Sequence, residues 1–144
     1  MAEFRDSIDI NAEPGDVFAY LTTPAGLAAW LGQHADLEPT PGGRFAVEVA
    51  GYPVRGEYLH VERPHRVVVS WGFAGSDDLP PGASTVEFVL TAIGSGTRVE
   101  LSHRDLPDPE VPGHADGWAN FLPRLAIAGA GGDAGTDHWR PQPD

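Results

Sequence analysis

The spacing of apolar residues along the chain changes period several times, and each change marks an element. Phe4, Ile8 and Ile10 punctuate a short β-branched stretch, which predicts a first strand over Phe4–Ile10. Asn11 to Pro14 form a turn that opens a helix, since a proline in the first helical turn forfeits no hydrogen bond. Val17, Phe18 and Leu21 follow at helical spacing, and Pro24 restricts the residue before it, so this helix should stop near Thr22–Thr23. Leu27, Trp30 and Leu31 predict a second short helix over Ala25–Leu31, with Gly32 as its C-terminal cap. Asp36–Gly43 is broken by Pro39, Pro41 and two glycines and reads as a connector.

From there the period is two, except over Arg66–Phe73, which is nearly all apolar. Five strands are predicted, over Arg44–Ala50, Val54–Glu62, Arg66–Phe73, Thr85–Ala92 and Thr97–Arg104. Gly51-Tyr52-Pro53, Pro64-His65 and Gly94-Ser95-Gly96 supply tight turns, and Ala74–Gly82 is a longer acidic loop. After the proline-rich Leu106–Gly113, His114, Trp118, Phe121, Leu122 and Leu125 line one face of the longest helical pattern. Pro123 sits inside that helix and should bend it at about Ala119–Asn120. Beyond Gly129 the apolar pattern ends. The expectation is one domain over residues 1–130 and a disordered tail over 131–144.

Strands joined by short turns make an antiparallel meander, and its apolar face needs a cover. Only the C-terminal helix is long enough. The predicted class is α+β, a curved antiparallel sheet of about six strands wrapped round that helix, with two short helices after the first strand.

Composition narrows the chemistry. The 144 residues suit one domain, and there is no cysteine and no lysine. Disulfides, thiolate nucleophiles, cysteine zinc sites and lysine Schiff bases are thereby excluded. Nine arginines against 21 acids leave a formal charge of −12, which repels phosphate backbones and anionic lipid. Neither nucleic acid nor a membrane is an expected partner. Met1–Asp9 carries no signal-peptide pattern, no run approaches a membrane span, and a cytoplasmic location is expected.

Nucleophile-elbow, zinc-protease and P-loop motifs are missing. Gly129-Ala-Gly131-Gly-Asp-Ala134 mimics a dinucleotide fingerprint but follows a helix, where that fingerprint has no function. The six histidines, His34, His60, His65, His103, His114 and His138, show no ligand spacing, so neither a metal nor a cofactor is expected.

Several stretches together resemble a known family. They are Ala12–Phe18 opening the first helix, Pro24–Leu31 with its tryptophan, Pro41–Phe45, Gly56-Glu57-Tyr58, Pro64–Trp71 ending VVVSW, Gly96–Val99 leading to Leu101, and His114 with Gly117-Trp118. Their order is similar to the START-like (SRPBCC) superfamily, the helix-grip or pollen-allergen fold. The branch they resemble is that of homologues of the activator of the heat-shock protein 90 ATPase. The resemblance implies a cavity between the last helix and the concave sheet. It also implies ligands such as lipids, hormones or polyketides, with some members acting as cyclases or aromatases. It carries over no catalytic residue.

Trp30, Phe45, Trp71, Phe73, Phe88, Trp118 and Phe121 lie on faces expected to point inward, as core or as pocket lining. The expected pocket is bounded by Trp71, Phe88, Leu101, His103, Trp118 and Phe121, with Val69, Tyr58, His114 and Leu122 completing the lining. His103 continues the inward set of Val99 and Leu101, as a rim histidine or a pocket acid/base. His114 shares the Trp118 face near the cavity mouth. Tyr58 and His60 share one side of their strand unless a bulge separates them. Glu87, Glu100 and Arg98 read as a solvated cross-strand ladder.

The leading functional expectation is a carrier, sensor or sequestering protein for a hydrophobic or aromatic small molecule. A polyketide aromatase/cyclase, with His103 and Tyr58 or Arg104 moving protons, is the first alternative. A chaperone-interacting module is the second. No oligomeric state is assigned.

Overall fold

In the computed structural model, residues 2–137 and 139–140 are described. Seven strands form one antiparallel sheet in the order β1-β7-β6-β5-β4-β3-β2. They are β1 Ala2–Ile10, β2 His34–Leu37, β3 Arg44–Val49, β4 Tyr52–Glu62, β5 Arg66–Trp71, β6 Ser84–Ile93 and β7 Gly96–Leu106. Helices α1 Pro14–Thr22 and α2 Pro24–Ala28 follow β1, and α3 Val111–Gly129 closes the fold after a short 3-10 turn. This is the helix-grip arrangement, with one strand more than expected.

The extra strand is β2. Its residues lie partly within the expected connector, and it pairs His34–Leu37 with Phe45–Glu48 at the sheet edge. Nothing apolar alternates strongly there, so its conformation comes from pairing with β3 rather than from local preference. A second departure concerns β4. The register slips between Tyr58 and His60, a β-bulge that turns Tyr58 inward and leaves His60 exposed. The two side chains therefore do not share a face. Beside the bulge, Gly56 packs so closely on β5 that a Cβ there would run into the Ser70 carbonyl.

The end of α1 shows how the core disposes of unpaired backbone. Its last carbonyls lack helical partners. The Trp30 indole donates to the Tyr20 carbonyl (2.9 Å) and the Tyr58 hydroxyl to the Leu21 carbonyl (3.0 Å), while Thr23 Oγ1 (2.8 Å) joins its own backbone N–H (3.1 Å) on the Ala19 carbonyl. Trp30 and Tyr58 are thus anchored by their polar tips, and burial raises the Tyr58 phenol pKa.

Helix α3 runs through Pro123, whose ring faces solvent, and buries Trp118, Phe121, Leu122 and Leu125 against the sheet. At its C-terminal end Gly129 meets the Ile10 side chain of β1. The outer face of the sheet is polar. Glu87 accepts hydrogen bonds from Arg66 and Arg104 (2.6 Å each), and Arg98 pairs with Asp9 of β1 (2.8 Å). Burial works against the charge on Glu87. The two arginine hydrogen bonds outweigh it and hold the carboxyl below the ordinary carboxylate range. Glu87→Gln should cost no more than about 1 kcal/mol, and less at 1 M salt, in denaturant titrations at two ionic strengths. A salt-independent loss of several kcal/mol would show that the triad holds the sheet together rather than decorating it.

Candidate functional site

Between α3 and the sheet, rings meet rings. Trp71 of β5 lies 5.4 Å from Trp118 of α3 by ring centroids, 5.6 Å from His103 of β7 and 6.4 Å from His114. Phe88 reaches Trp118 at 6.1 Å, and Phe121 stands 6.3 Å from the same indole. The alternation of β5, β6 and β7 places Val69, Phe88, Leu101 and His103 on this inner face, and the helical period brings Trp118, Phe121 and Leu122 down onto it. Every residue named as pocket lining is buried or half-buried. Phe45 adds a T-shaped contact to Tyr58 and a tilted one to Trp71. The rings touch one another across the compartment, while open depressions lie on the outer face, lined by Ser7, Asp9, Arg98, Glu100 and neighbours.

Two histidines sit within this apolar packing, and their partners settle their tautomers. The Trp118 indole N–H points at His103 Nδ1 (3.1 Å), so that nitrogen is an acceptor. The proton of a neutral imidazole then resides on Nε2, which donates to Ser84 Oγ (2.8 Å), and the Ser84 hydroxyl donates in turn to the Trp71 carbonyl (2.9 Å). His114 has the opposite tautomer. Its Nε2 accepts from the Trp71 indole (3.3 Å), and its Nδ1 donates to the Glu110 carbonyl (2.8 Å). The two imidazoles meet edge to face at 4.9 Å.

Both rings are kept neutral. Burial, aided by the nearby His114, pushes His103 down to about 2. Burial also lowers His114, against the opposing pull of its hydrogen bond to Glu110 and that residue's charge. Protonating His103 would aim a new N–H at the Trp118 N–H, so geometry and desolvation act in the same direction.

General acid–base work needs a titratable group within hydrogen-bond reach of the proton it moves. At His103 both nitrogens are engaged in hydrogen bonds, while His114 supplies a second titratable ring 4.9 Å away by ring centroids. Tyr58 is bound to the Leu21 carbonyl, and Arg104 lies on the outer face with Glu87 and Ser102. His103, Tyr58 and Arg104 thus hydrogen-bond to other partners and not to one another.

Ser84 was not among the expected site residues, although it shares the inward phase of Val86, Phe88 and Leu90, so β6 alternation would have found it. Trp139 was also missed, because nothing local marks a lone tryptophan in a proline- and glycine-rich stretch as bound. Towards the surface the compartment ends in half-buried Phe73 and His114, with Tyr52, 50% exposed, 6.1 Å from Phe73. Among the described residues no group of three His, Asp or Glu side chains stands together as a metal site. His138 lies outside the described residues. Among the described residues no helix is long and apolar enough to cross a membrane.

Residues 11–129 match the family model described as Activator of Hsp90 ATPase homolog 1-like protein. The solution structure of an AHSA1-like protein from Rhizobium etli is 38% identical, over 99% of this chain and 90% of that one, with a TM-score of 0.75. DynU16, a putative protein in the dynemicin biosynthetic locus, is 27% identical over 96% of this chain but 51% of its own, with a TM-score of 0.79. An HSP90 activator from Plasmodium falciparum, 22% identical over 88% of this chain and 94% of that one, shares the fold with a TM-score of 0.72. No curated protein matches in sequence.

Proposed function

This chain belongs to the Activator of Hsp90 ATPase homolog 1-like family, within the START-like superfamily, and we propose that it binds a neutral aromatic or apolar small molecule between α3 and the sheet. The observation that carries this reading is the meeting of Trp71, His103, His114 and Trp118 beside half-buried Phe73. So many ring faces, with both imidazoles neutral and, among the described residues, no ionised side chain hydrogen-bonded to the four rings, suit an uncharged flat ligand. An anionic ligand would have to be desolvated here beside the negative charge of Glu110, which acts on His114. Binding exchanges ring contacts within the protein for ring contacts with the ligand, so it requires the side chains near Phe73 and His114 to part.

The proposed role is that of a carrier, sensor or sequestering protein, without turnover. It is tested with Nile red, a neutral aromatic dye, titrated into the intact protein. Saturable binding with quenching of tryptophan emission is expected, and a bulky Phe73→Arg variant should weaken it at least tenfold. Dye uptake that never saturates, or that is indifferent to Phe73→Arg, would discard the site.

A further inference from the structure

The aromatic contacts form a continuous file. Tyr52 touches Phe73 (6.1 Å), Phe73 touches Trp71 (6.5 Å), Trp71 touches Trp118 (5.4 Å), Trp118 touches Phe121 (6.3 Å), and Phe121 touches Trp139 (5.2 Å). One end is the exposed Tyr52. The other is a residue of the segment beyond α3, in the stretch expected to form a free tail.

That segment is fastened along one stripe of α3. Arg124 donates to the carbonyls of Ala134 (3.0 Å) and Gly135 (2.9 Å) and faces the Asp137 carboxylate at 3.6 Å. Asn120 Nδ2 donates to both Asp137 oxygens (3.1 and 3.2 Å), and the Trp139 indole donates to Asp116 (3.0 Å). The Arg124 and Asp137 side chains are only 14% and 12% exposed, so this attachment is partly desolvated and specific. Gly117 completes the seat. It lies under the Trp139 ring, at a distance where even a Cβ would make only ordinary contact with that ring and with Phe121. Of the expected tail, residues 138 and 141–144 lie outside the described residues.

We propose that residues 133–137, 139 and 140 act as a displaceable strap, and that Trp139 occupies the Phe121 end of the aromatic file until a neutral aromatic ligand displaces it. This rests on the ligand-binding reading above and adds its regulation. Trp139 is an aromatic group held at high effective concentration by its own chain, so it competes with a ligand ring that extends along the file from Phe73 as far as Phe121. Its seat is half-buried and its hydrogen bond to Asp116 is exposed, so release costs little beyond one ring contact and the polar fastenings. The apparent affinity for ligand is then the intrinsic affinity multiplied by the fraction of molecules with the strap lifted.

The test compares Nile red binding by the full chain with Trp139→Ala and Trp139→Phe. Trp139→Ala should bind at least tenfold more tightly, and Trp139→Phe, which keeps a ring in the seat, should stay within about threefold of the parent. Equal or weaker binding by Trp139→Ala, with saturable binding by the parent, overturns the strap and leaves the ligand site standing. Saturable binding by neither protein overturns both. If Trp139→Ala fails to fold, the parent labelled with 5-fluorotryptophan answers instead, its Trp139 resonance assigned with Trp139→Phe. Saturating dye should move that fluorine signal to the solvent-exposed position, and an unmoved signal on a dye-saturated protein overturns the proposal.

Discussion

Acidification from pH 6.5 to pH 4 should cost the fold about 3 kcal/mol through His103 alone, at about 1.4 kcal/mol per pH unit. In the unfolded chain this imidazole takes up a proton as the pH falls through the ordinary histidine value of 6.5, whereas in the fold burial delays protonation to about 2. The unfolded state therefore binds more protons throughout that window. The contribution to stability is complete above about pH 6.5 and declines as the pH falls. His114, also lowered by burial, adds to the loss in the same direction. Glu87 and Asp9, held low by arginine partners, add theirs only in the carboxylate range, so pH 6.5 to 5 isolates the histidines. Urea titrations at half-unit pH intervals give the slope. His103→Phe should be less stable at pH 7, because Trp118 and Ser84 lose a partner, but its slope should be smaller by about one proton. A parent protein whose stability is flat from pH 6.5 to 5 would mean that water or a rearranged Trp118 lets His103 charge inside the fold.

Trp118→Ala is expected to be the most damaging single side-chain truncation, at about 3–5 kcal/mol, enough to threaten a fold of ordinary stability. Trp118 is 2% exposed, touches Trp71, Phe88, His103 and Phe121, and donates to His103 Nδ1. Truncation removes the ring contacts and orphans a buried acceptor together. Trp118→Phe separates the two effects. It keeps most of the ring and loses the N–H, so about 1–3 kcal/mol is expected, the cost of an unsatisfied buried nitrogen. Equilibrium urea unfolding of the two variants side by side reads the difference. If the alanine variant loses less than about 2 kcal/mol, the Trp118 ring already borders free space, and the compartment is looser than its ring contacts imply.

The elements of this protein could be read from the sequence wherever one face is buried. The period-two runs that became β3, β6 and β7 and the helical face Trp118-Phe121-Leu122-Leu125 are repetitive signals several residues long. They survive any tertiary detail, because shifting them by one position would expose the apolar set. β2 had no such signal. It is four residues long, lies at an edge and takes its conformation from β3. The bulge at Tyr58 was equally hidden, since a single extra residue depends on how β4 meets β5.

The site divides in the same way. Its ring-bearing residues were identifiable because aromatic side chains on inward phases have few other places to go. Their chemistry was not. His103 as an open acid/base and His103 as a neutral acceptor have the same sequence, and only the approach of Trp118 from α3 and Ser84 from β6 separates them. Trp139 is the extreme case, one ring without periodicity whose seat exists because Gly117, Phe121 and Asp116 converge on α3. By itself the sequence determined the class, the order of the elements and the apolar faces, all set by periodicities that extend over a few turns or strand residues. Tautomers, the bulge, the edge strand and the strap were decided only by the tertiary structure, because each depends on one or two atoms brought together from elements distant in the chain.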